Sequence, residues 1–314
     1  MNGKEVRILF LGTPDIAAFV LEALILNGYN IIGIVSQEDK ERNRKGELIK
    51  TPTHECGDKY NIPVYEFDKI SKHVNEVKAL KPELILTLAY GQIVSEEILN
   101  LPKYGCINLH GSLLPKMRGA APIQRSLYNG DNLTGFTLME MVKEMDAGRM
   151  YAKKEVNISE DDNYTSLLEK MKICARDLIL ESIDDYVNGK LIGEPQDIKE
   201  VTFANKITKE EEKLFINDNC KDFINKVRCL SYTPGGYLIL DNEKIKIFKA
   251  KYVSNITENE LGTIVKYDKN GFFVQLSDGI VSLLEVQKPG KKILNYKDFI
   301  NGNRDLLGKK FEWA

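Results

Sequence analysis

Three polar side chains carry the chemistry legible in this chain: Asn108, His110 and Asp146. Asn108 and His110 stand one residue apart at the end of the apolar run 105–109, which reads as a buried strand. In an extended chain residues i and i+2 project from the same face, so the amide and the imidazole address one spot. Asp146 lies in Met145-Asp146-Ala147-Gly148, a polar residue at a glycine-marked turn. An amide donor, an imidazole and a carboxylate suit transfer of a one-carbon acyl group onto an amine. The amide and a ring N–H stabilise the oxyanion, each such donor being worth about 2.7–4 kcal/mol. The His–carboxylate pair handles the protons.

The elements needed to hold these groups follow from the pattern around them. Val6 to Leu11, Ile31 to Val35, Leu84 to Leu88 and Gly105 to Leu109 read as short buried strands, with helical stretches between them. Alternating strands and helices predict a doubly wound, mostly parallel sheet. Gly12, Tyr90-Gly91 and His110 then fall just past strand C-termini, on the rim where open α/β sheets bind ligands. The first turn, Gly12-Thr13-Pro14, lacks the G-x-G-x-x-G spacing of a dinucleotide site. Residues 134–141 and 151–156 read as strands bracketing Asp146, residues 164–188 as a long helix, and 189–207 as a connector. Beyond it, a helix near 220–229 precedes short strands at about 237–240, 244–249, 262–266, 272–275 and 281–286, separated by Asp-Asn, Asn-Gly and Asp-Gly turns. That texture predicts a small, OB-like β-barrel. The expected division is a catalytic domain over 1–190, a linker over 191–207 and a barrel domain over 208–314.

The 314 residues, 43% hydrophobic and 29% charged, allow two cores and argue against wholesale disorder. A net charge of −2 conceals an asymmetry: residues 208–314 hold 18 Lys+Arg against 15 Asp+Glu, leaving the rest of the chain acidic. A basic barrel on an acidic catalytic part points toward a polyanionic partner. Five cysteines without a CxxC pair argue against a disulfide framework or zinc knuckle. No set of residues shows metal-ligand spacing, so no metal is expected. The first strand begins too early for a signal peptide, and no apolar run reaches membrane length. The expectation is a cytoplasmic monomer, not bound to membrane.

Several segments together resemble the methionyl-tRNA formyltransferase family, and the likeness runs nearly end to end. Arg7 to Asp15 (RILFLGTPD) resembles its opening strand and turn, and Ala89-Tyr90-Gly91-Gln92-Ile93 its folate-side loop. Asn108 to Pro115 (NLHGSLLP), continuing through Arg118 to Gln124 (RGAAPIQ), resembles the formyltransferase signature. Met145 to Gly148 resembles its aspartate motif. Asp278-Gly279-Ile280 and Gln287 to Lys292 resemble its C-terminal domain. The chain departs from the pattern at Asn43-Arg44-Lys45-Gly46, where the family usually reads Gly-Arg-Gly-Lys, and at Ser231 to Gly236, where it often carries a tryptophan.

The resemblance implies a Rossmann-like domain that transfers formyl from 10-formyltetrahydrofolate to the α-amine of methionyl on initiator tRNA. It makes Asn108, His110 and Asp146 catalytic. The pterin would lie against the loop 87–94, including Tyr90 and Gly91, and against Ser112, Leu113, Leu114 and Pro115. Phosphates of the tRNA would meet Arg42, Arg44, Lys45 and Lys50 in the 37–50 loop, and Lys246, Lys249, Lys288, Lys291 and Lys292 in the barrel. The signature is shared with formyltransferases acting on small amines, nucleotide sugars or ribonucleotides, which leaves that alternative open. A folate-coupled hydrolase and a catalytically idle folate- or RNA-binding protein are the more distant readings.

Overall fold

A computed structural model describes residues 3–40, 42, 45–269, 271–303 and 305–312. The chain forms two compact units. One comprises Met1–Pro122, Thr134–Asn157 and Leu168–Ala204; the other comprises Ile123–Leu133, Ile158–Leu167 and Asn205–Ala314.

The first unit is built on a seven-stranded sheet. In chain order its elements are β1 (Ile8–Gly12), α1 (Asp15–Leu26), β2 (Ile31–Ser36), α2 (Pro52–Tyr60), β3 (Val64–Glu66), α3 (Val74–Ala79), β4 (Leu84–Leu88), α4 (Glu96–Leu99), β5 (Cys106–His110), β6 (Leu133–Glu140), β7 (Met150–Asn157) and α6 (Tyr164–Val187) from Leu168 onward, while α5 (Pro122–Asn129), between β5 and β6 in the chain, belongs from Ile123 to the second unit. The strand order is β3-β2-β1-β4-β5-β6-β7. The pairs among β3, β2, β1, β4 and β5 are parallel, and β6 runs antiparallel to β5. Every residue of β1 and β4 is buried, as expected for strands covered on both faces.

Strand order reverses between β1 and β4, the topological switch point where a crevice opens beyond the strand ends. Gly12 and Leu88 pair there. A Cβ on Gly12 would come within 2.8 Å of the Leu88 carbonyl and 2.7 Å of Ala17, so only glycine lets α1 start this close to the sheet.

The segment read as a connector makes contacts of its own. Glu194 bridges to Met150, and Phe203 bridges to Arg118 in a parallel pairing, so residues 194–203 run as a strap along the first unit. Periodicity missed this because the strap makes isolated bridges instead of a ladder.

The second unit holds α7 (Cys220–Leu230), β8 (Gly236–Leu240), β9 (Glu243–Ser254), β10 (Ile264–Asp268), β11 (Gly271–Gln275), β12 (Ile280–Gln287), β13 (Leu294–Asn295) and α8 (Tyr296–Asn301). Its sheet order is β10-β11-β12-β9-β8, with β13 on β12. Residues near the C-terminus bridge both edges, Glu312 to Ile239 and Lys310 to Thr263, and so curl the sheet into a small β-barrel.

Candidate active site

β5 delivers the first two groups. Asn108 and His110 pair with Met139 and Thr137 across the antiparallel ladder, so the two side chains share a face. Asn108 is half-buried, and among the described residues its amide has no hydrogen-bond partner. His110 is buried, with Nε2 at 2.8 Å from the Met117 carbonyl. That carbonyl can only accept, which assigns the proton to Nε2. Nδ1 then faces the Asp146 carboxylate, at 3.6 Å from Oδ1. This is ion-pair range but too long for a hydrogen bond.

Asp146 is held from three directions. Its backbone is left-handed at φ 51°, which short polar side chains tolerate better than most. Its Oδ2 accepts from the Gly119 N–H at 2.8 Å. Its carbonyl accepts from Gln196 Nε2 at 2.8 Å, and the same amide nitrogen donates to the Gly148 carbonyl at 2.9 Å. Gln196 Oε1 in turn accepts from the buried Arg118 Nε at 2.9 Å. The strap also fixes the segment carrying Met117: Thr202 Oγ1 accepts from the Met117 N–H at 2.9 Å. Gln196 and Thr202 thus position the Asp146 turn and the Met117 segment. Neither carried any sequence signal, because they reach their partners from fifty or more residues downstream, except at Gly148.

The folate-side expectations divide. The Tyr90 ring is buried in the core with Leu9, Leu11 and Val94, and its carbonyl accepts from Gln37 Nε2 at 2.8 Å. Among the described residues its hydroxyl has no partner, and burial pushes the phenol well above its usual range. The residues that face outward in this loop are Ala89, at φ 50°, Gly91, at φ 82°, and the exposed Ile93. The Ser112–Pro115 turn is satisfied from within. Thr137 Oγ1 donates to the Ser112 carbonyl at 2.7 Å and accepts from the Leu114 N–H at 3.1 Å. Lys153 donates to the Leu114 carbonyl at 2.6 Å. Ser112 Oγ donates to the Lys116 carbonyl at 2.7 Å, and Ser112 and Leu114 are buried while Leu113 and Pro115 are half-buried. The half-buried Leu113 and Pro115 are the parts of this turn open to a neighbour.

Cys106 begins β5, and burial pushes its thiol up to about 12, far from thiolate reactivity.

The basic residues expected at a polyanion fall in two places. In the 37–50 loop, Arg42 donates to the Gly46 carbonyl at 2.5 Å and bridges Leu48, Lys50 pairs with Asp58 at 2.5 Å, and Arg44 lies outside the described residues. Lys45 is exposed. In the barrel, the β9–β12 pairing sets Lys246 opposite Gln287 and Lys249 opposite Glu285, beside the turn that bears Lys288, Lys291 and Lys292. Lys246 donates to the Pro234 carbonyl at 2.5 Å and Lys288 sits 3.7 Å from Glu243, while Lys249, Lys291 and Lys292 are exposed.

One cluster was not visible in the spacing of the sequence. Folding brings His54 Nδ1 within 2.9 Å of Glu66 and 3.0 Å of Asp39, a set of possible metal-ligating atoms that the sequence scatters over 28 residues. Asp39 Oδ1 also accepts from the Thr51 N–H at 2.7 Å, closing the base of the 40–50 loop.

Comparison with known proteins agrees with this geometry. Residues 6–183 match the model of the formyl transferase family, and residues 206–304 match that of the formyl transferase C-terminal domain. The chain belongs to the formyl transferase family, and is an enzyme of that class. Its relatives include the methionyl-tRNA formyltransferase of Lactobacillus acidophilus, 40% identical over 97% of this chain and 96% of the relative. That of Bacillus subtilis is 39% identical over 96% of this chain and 98% of the relative. Among solved structures, an N-formyltransferase from Helicobacter canadensis in complex with folinic acid and dTDP-3-aminofucose superposes with a TM-score of 0.68. It is 17% identical, over 90% of this chain and 99% of that one. HypX from Aquifex aeolicus, in complex with tetrahydrofolic acid, gives a TM-score of 0.63 at 16% identity, over 96% of this chain and 48% of that one. At these identities the two structures speak for the fold alone. Among the described residues no helix is long and apolar enough to cross a membrane.

Proposed function

We propose that this enzyme transfers a formyl group from 10-formyltetrahydrofolate to the α-amine of methionyl on initiator tRNA, yielding N-formylmethionyl-tRNA for translation initiation. The observation that carries the reading is 40% identity to a methionyl-tRNA formyltransferase across 97% of the chain, the C-terminal unit included. An enzyme acting on a small amine needs no basic second unit. The tetrahydrofolic acid bound by HypX, a relative in fold, supports a folate donor here.

In this reading Asn108, His110 and Asp146 are the catalytic groups. The free Asn108 amide donates to the formyl oxygen as negative charge develops on it. The amine nitrogen bonds to the formyl carbon, and the bond from that carbon to folate N10 breaks. His110 Nδ1, with Asp146 behind it, takes up the amine proton and returns one to N10. Because Nε2 is held by Met117, Nδ1 is the nitrogen that exchanges protons. The donor's ring fits the surface formed by Gly91, Ile93, Leu113 and Pro115, a flat apolar rim suited to shape recognition. The chemistry needs no metal.

Residues 1–190 act as the catalytic domain, 191–207 as linker and 208–314 as an OB-like tRNA-binding barrel in a cytoplasmic monomer. Arg42, Arg44, Lys45, Lys246, Lys249, Lys288, Lys291 and Lys292 meet phosphates, so tRNA binding weakens steeply with salt.

The test is acceptor choice. The enzyme is given 10-formyltetrahydrofolate with methionyl-initiator tRNA, a dTDP-aminosugar or glycinamide ribonucleotide. Formyl on methionyl-tRNA alone is expected; formyl on either small amine, or only free formate, would overturn the reading.

A further inference from the structure

The loop that carries the outward-facing Ala89, Gly91 and Ile93 is held in an unusual shape. Ala89 and Gly91 flank Tyr90 with left-handed backbone, at φ 50° and 82°. An alanine rarely enters that region, and such a conformation persists only where its surroundings impose it. Three restraints do so. The Tyr90 ring is buried in the core. Gln92 pins the far side of the loop, Oε1 accepting from the Ile70 N–H at 2.8 Å and Nε2 donating to the Phe67 carbonyl at 2.9 Å. The third restraint is Gln37, whose Nε2 donates to the Tyr90 carbonyl at 2.8 Å. Among the described residues the other side chain on that carbonyl is Thr13, whose Oγ1 at 3.4 Å is a long contact for a hydroxyl.

Gln37 reaches this carbonyl from two strands away. It follows β2, Tyr90 follows β4, and β1 lies between those strands in the sheet. The side chain therefore bridges the strand ends at the switch point. It fits the loop closely there, since a Cβ on Gly91 would collide with the Gln37 amide. The Gln37 main chain has a separate task. Its N–H donates to Thr13 Oγ1 at 3.2 Å, anchoring the start of the 37–50 loop. The closure of that loop does not involve the Gln37 side chain: Ser36 Oγ meets Thr51 Oγ1 at 2.7 Å, and Asp39 accepts from the Thr51 N–H.

We propose that Gln37 is a positioning residue for the formyl donor, its side-chain amide setting the loop surface on which the donor's ring lies. The inference rests on the folate donor and the surface proposed above, and adds which side chain shapes it. Without the Gln37 N–H, the strained Ala89-Tyr90-Gly91 segment loses the restraint on its exposed side and relaxes. The donor must then order the loop as it binds, which weakens its affinity. The chemical step follows binding, so turnover at saturating donor is spared.

The experiment uses the whole chain as wild type, Gln37→Met and Gln37→Glu. Both substitutions keep the reach of the side chain, and neither offers an N–H. Folinic acid is titrated directly as the probe, and KM is measured for 10-formyltetrahydrofolate and for methionyl-tRNA. Both variants are expected to weaken folinic acid binding and raise the donor KM about tenfold, the loss of one hydrogen bond. Their kcat and their KM for methionyl-tRNA stay within about twofold, because the main chain still anchors the 37–50 loop. Asp39→Ala, two residues on, acts on the closure of that loop and is the contrast: it raises the KM for methionyl-tRNA and leaves folinic acid binding alone. A merely structural role for Gln37 would move both substrates together. Unchanged folinic acid affinity in the Gln37 variants overturns the inference. So does a rise in their KM for methionyl-tRNA, alone or in step with the donor KM. A wild type that binds no folinic acid is a different result, the failure of the proposed donor itself, and takes the inference with it.

Discussion

The Asp146 carboxylate is anchored by the Gly119 N–H at 2.8 Å while its other oxygen stands 3.6 Å from His110 Nδ1. A backbone amide, not the histidine, therefore fixes the acid. The imidazole is fixed separately, through Nε2 on the Met117 carbonyl at 2.8 Å. The two groups are held face to face without being joined. In the proposed reaction Nδ1 takes a substrate proton, with a carboxylate placed to stabilise the charge that results. Asp146→Asn keeps the left-handed turn and an oxygen for Gly119, yet loses the negative charge. We expect kcat to fall about 10²–10⁴-fold with the folding midpoint unchanged within error. Steady-state kinetics beside a urea titration measure both, and an Asn variant retaining most of its kcat would remove Asp146 from the proton path.

Gly119 has φ 120°, a region L-residues rarely enter, and a Cβ there would lie 2.8 Å from the Ala204 carbonyl. Gly119→Ala should cost about 1–3 kcal/mol of stability through backbone strain. It should also lower kcat, because the amide that holds Asp146 must move. Denaturation and turnover of the same sample check this. A variant that is fully stable and fully active would mean that the segment relaxes freely.

Asp39 ties together the two ends of the 40–50 loop, accepting from Thr51 N–H at 2.7 Å through Oδ1 and facing His54 at 3.0 Å through Oδ2. Asp39→Ala removes both ties. If that loop meets the tRNA, KM for methionyl-tRNA rises about tenfold, the loss of roughly one charge-assisted hydrogen bond. The KM for the folate donor should not move. Equal rises in both would instead indicate general damage to the sheet.

In the second unit, Arg125 pairs with Glu211 through Nη1–Oε1 at 2.6 Å and Nη2–Oε2 at 3.0 Å. The Arg125 hydrogen bonds hold the Glu211 carboxyl below its usual 4.5, with the Thr208 N–H adding to the effect and burial opposing it. A carboxylate with a depressed folded-state value contributes stability that is fully present above pH 4.5. That contribution is lost as pH falls through the lowered value. Glu211→Gln should therefore be less stable than wild type by about 1–3 kcal/mol at pH 7. The gap should shrink steadily below pH 4.5. Urea midpoints at pH 7 and pH 3 decide the point, and a gap of equal size at both would contradict the ion-pair account.

Most of the sheet was legible because its strands are short apolar runs ending in glycine or proline turns. β1, β2, β4 and β5 lie within a residue or two of their expected bounds. The half-buried, three-residue β3 and the four-residue α4 were not legible, since neither is long enough to show a period. α5 was hidden by the signature that runs into it. At the site, the i, i+2 spacing of Asn108 and His110 carried over directly, because strand geometry leaves it no freedom. Asp146, 36 residues from His110, could be matched to a motif but not placed near it by spacing alone. The partners Met117, Gln196 and Thr202 were invisible for a plainer reason: backbone carbonyls and uncharged side chains acquire roles only when tertiary contacts aim them. The same holds for Tyr90, whose ring turns into the core although its neighbours face the rim.

The central claim is that His110 and Asp146 act on one proton in one step. Single-turnover formyl transfer to methionyl-tRNA by His110→Ala, Asp146→Ala and the double variant tests it most directly. Residues that work as a unit are grossly non-additive. The double variant is expected to be no slower than the slower single variant, within about threefold. A double variant slowed by the product of the two single losses would show two independent contributions and contradict the account.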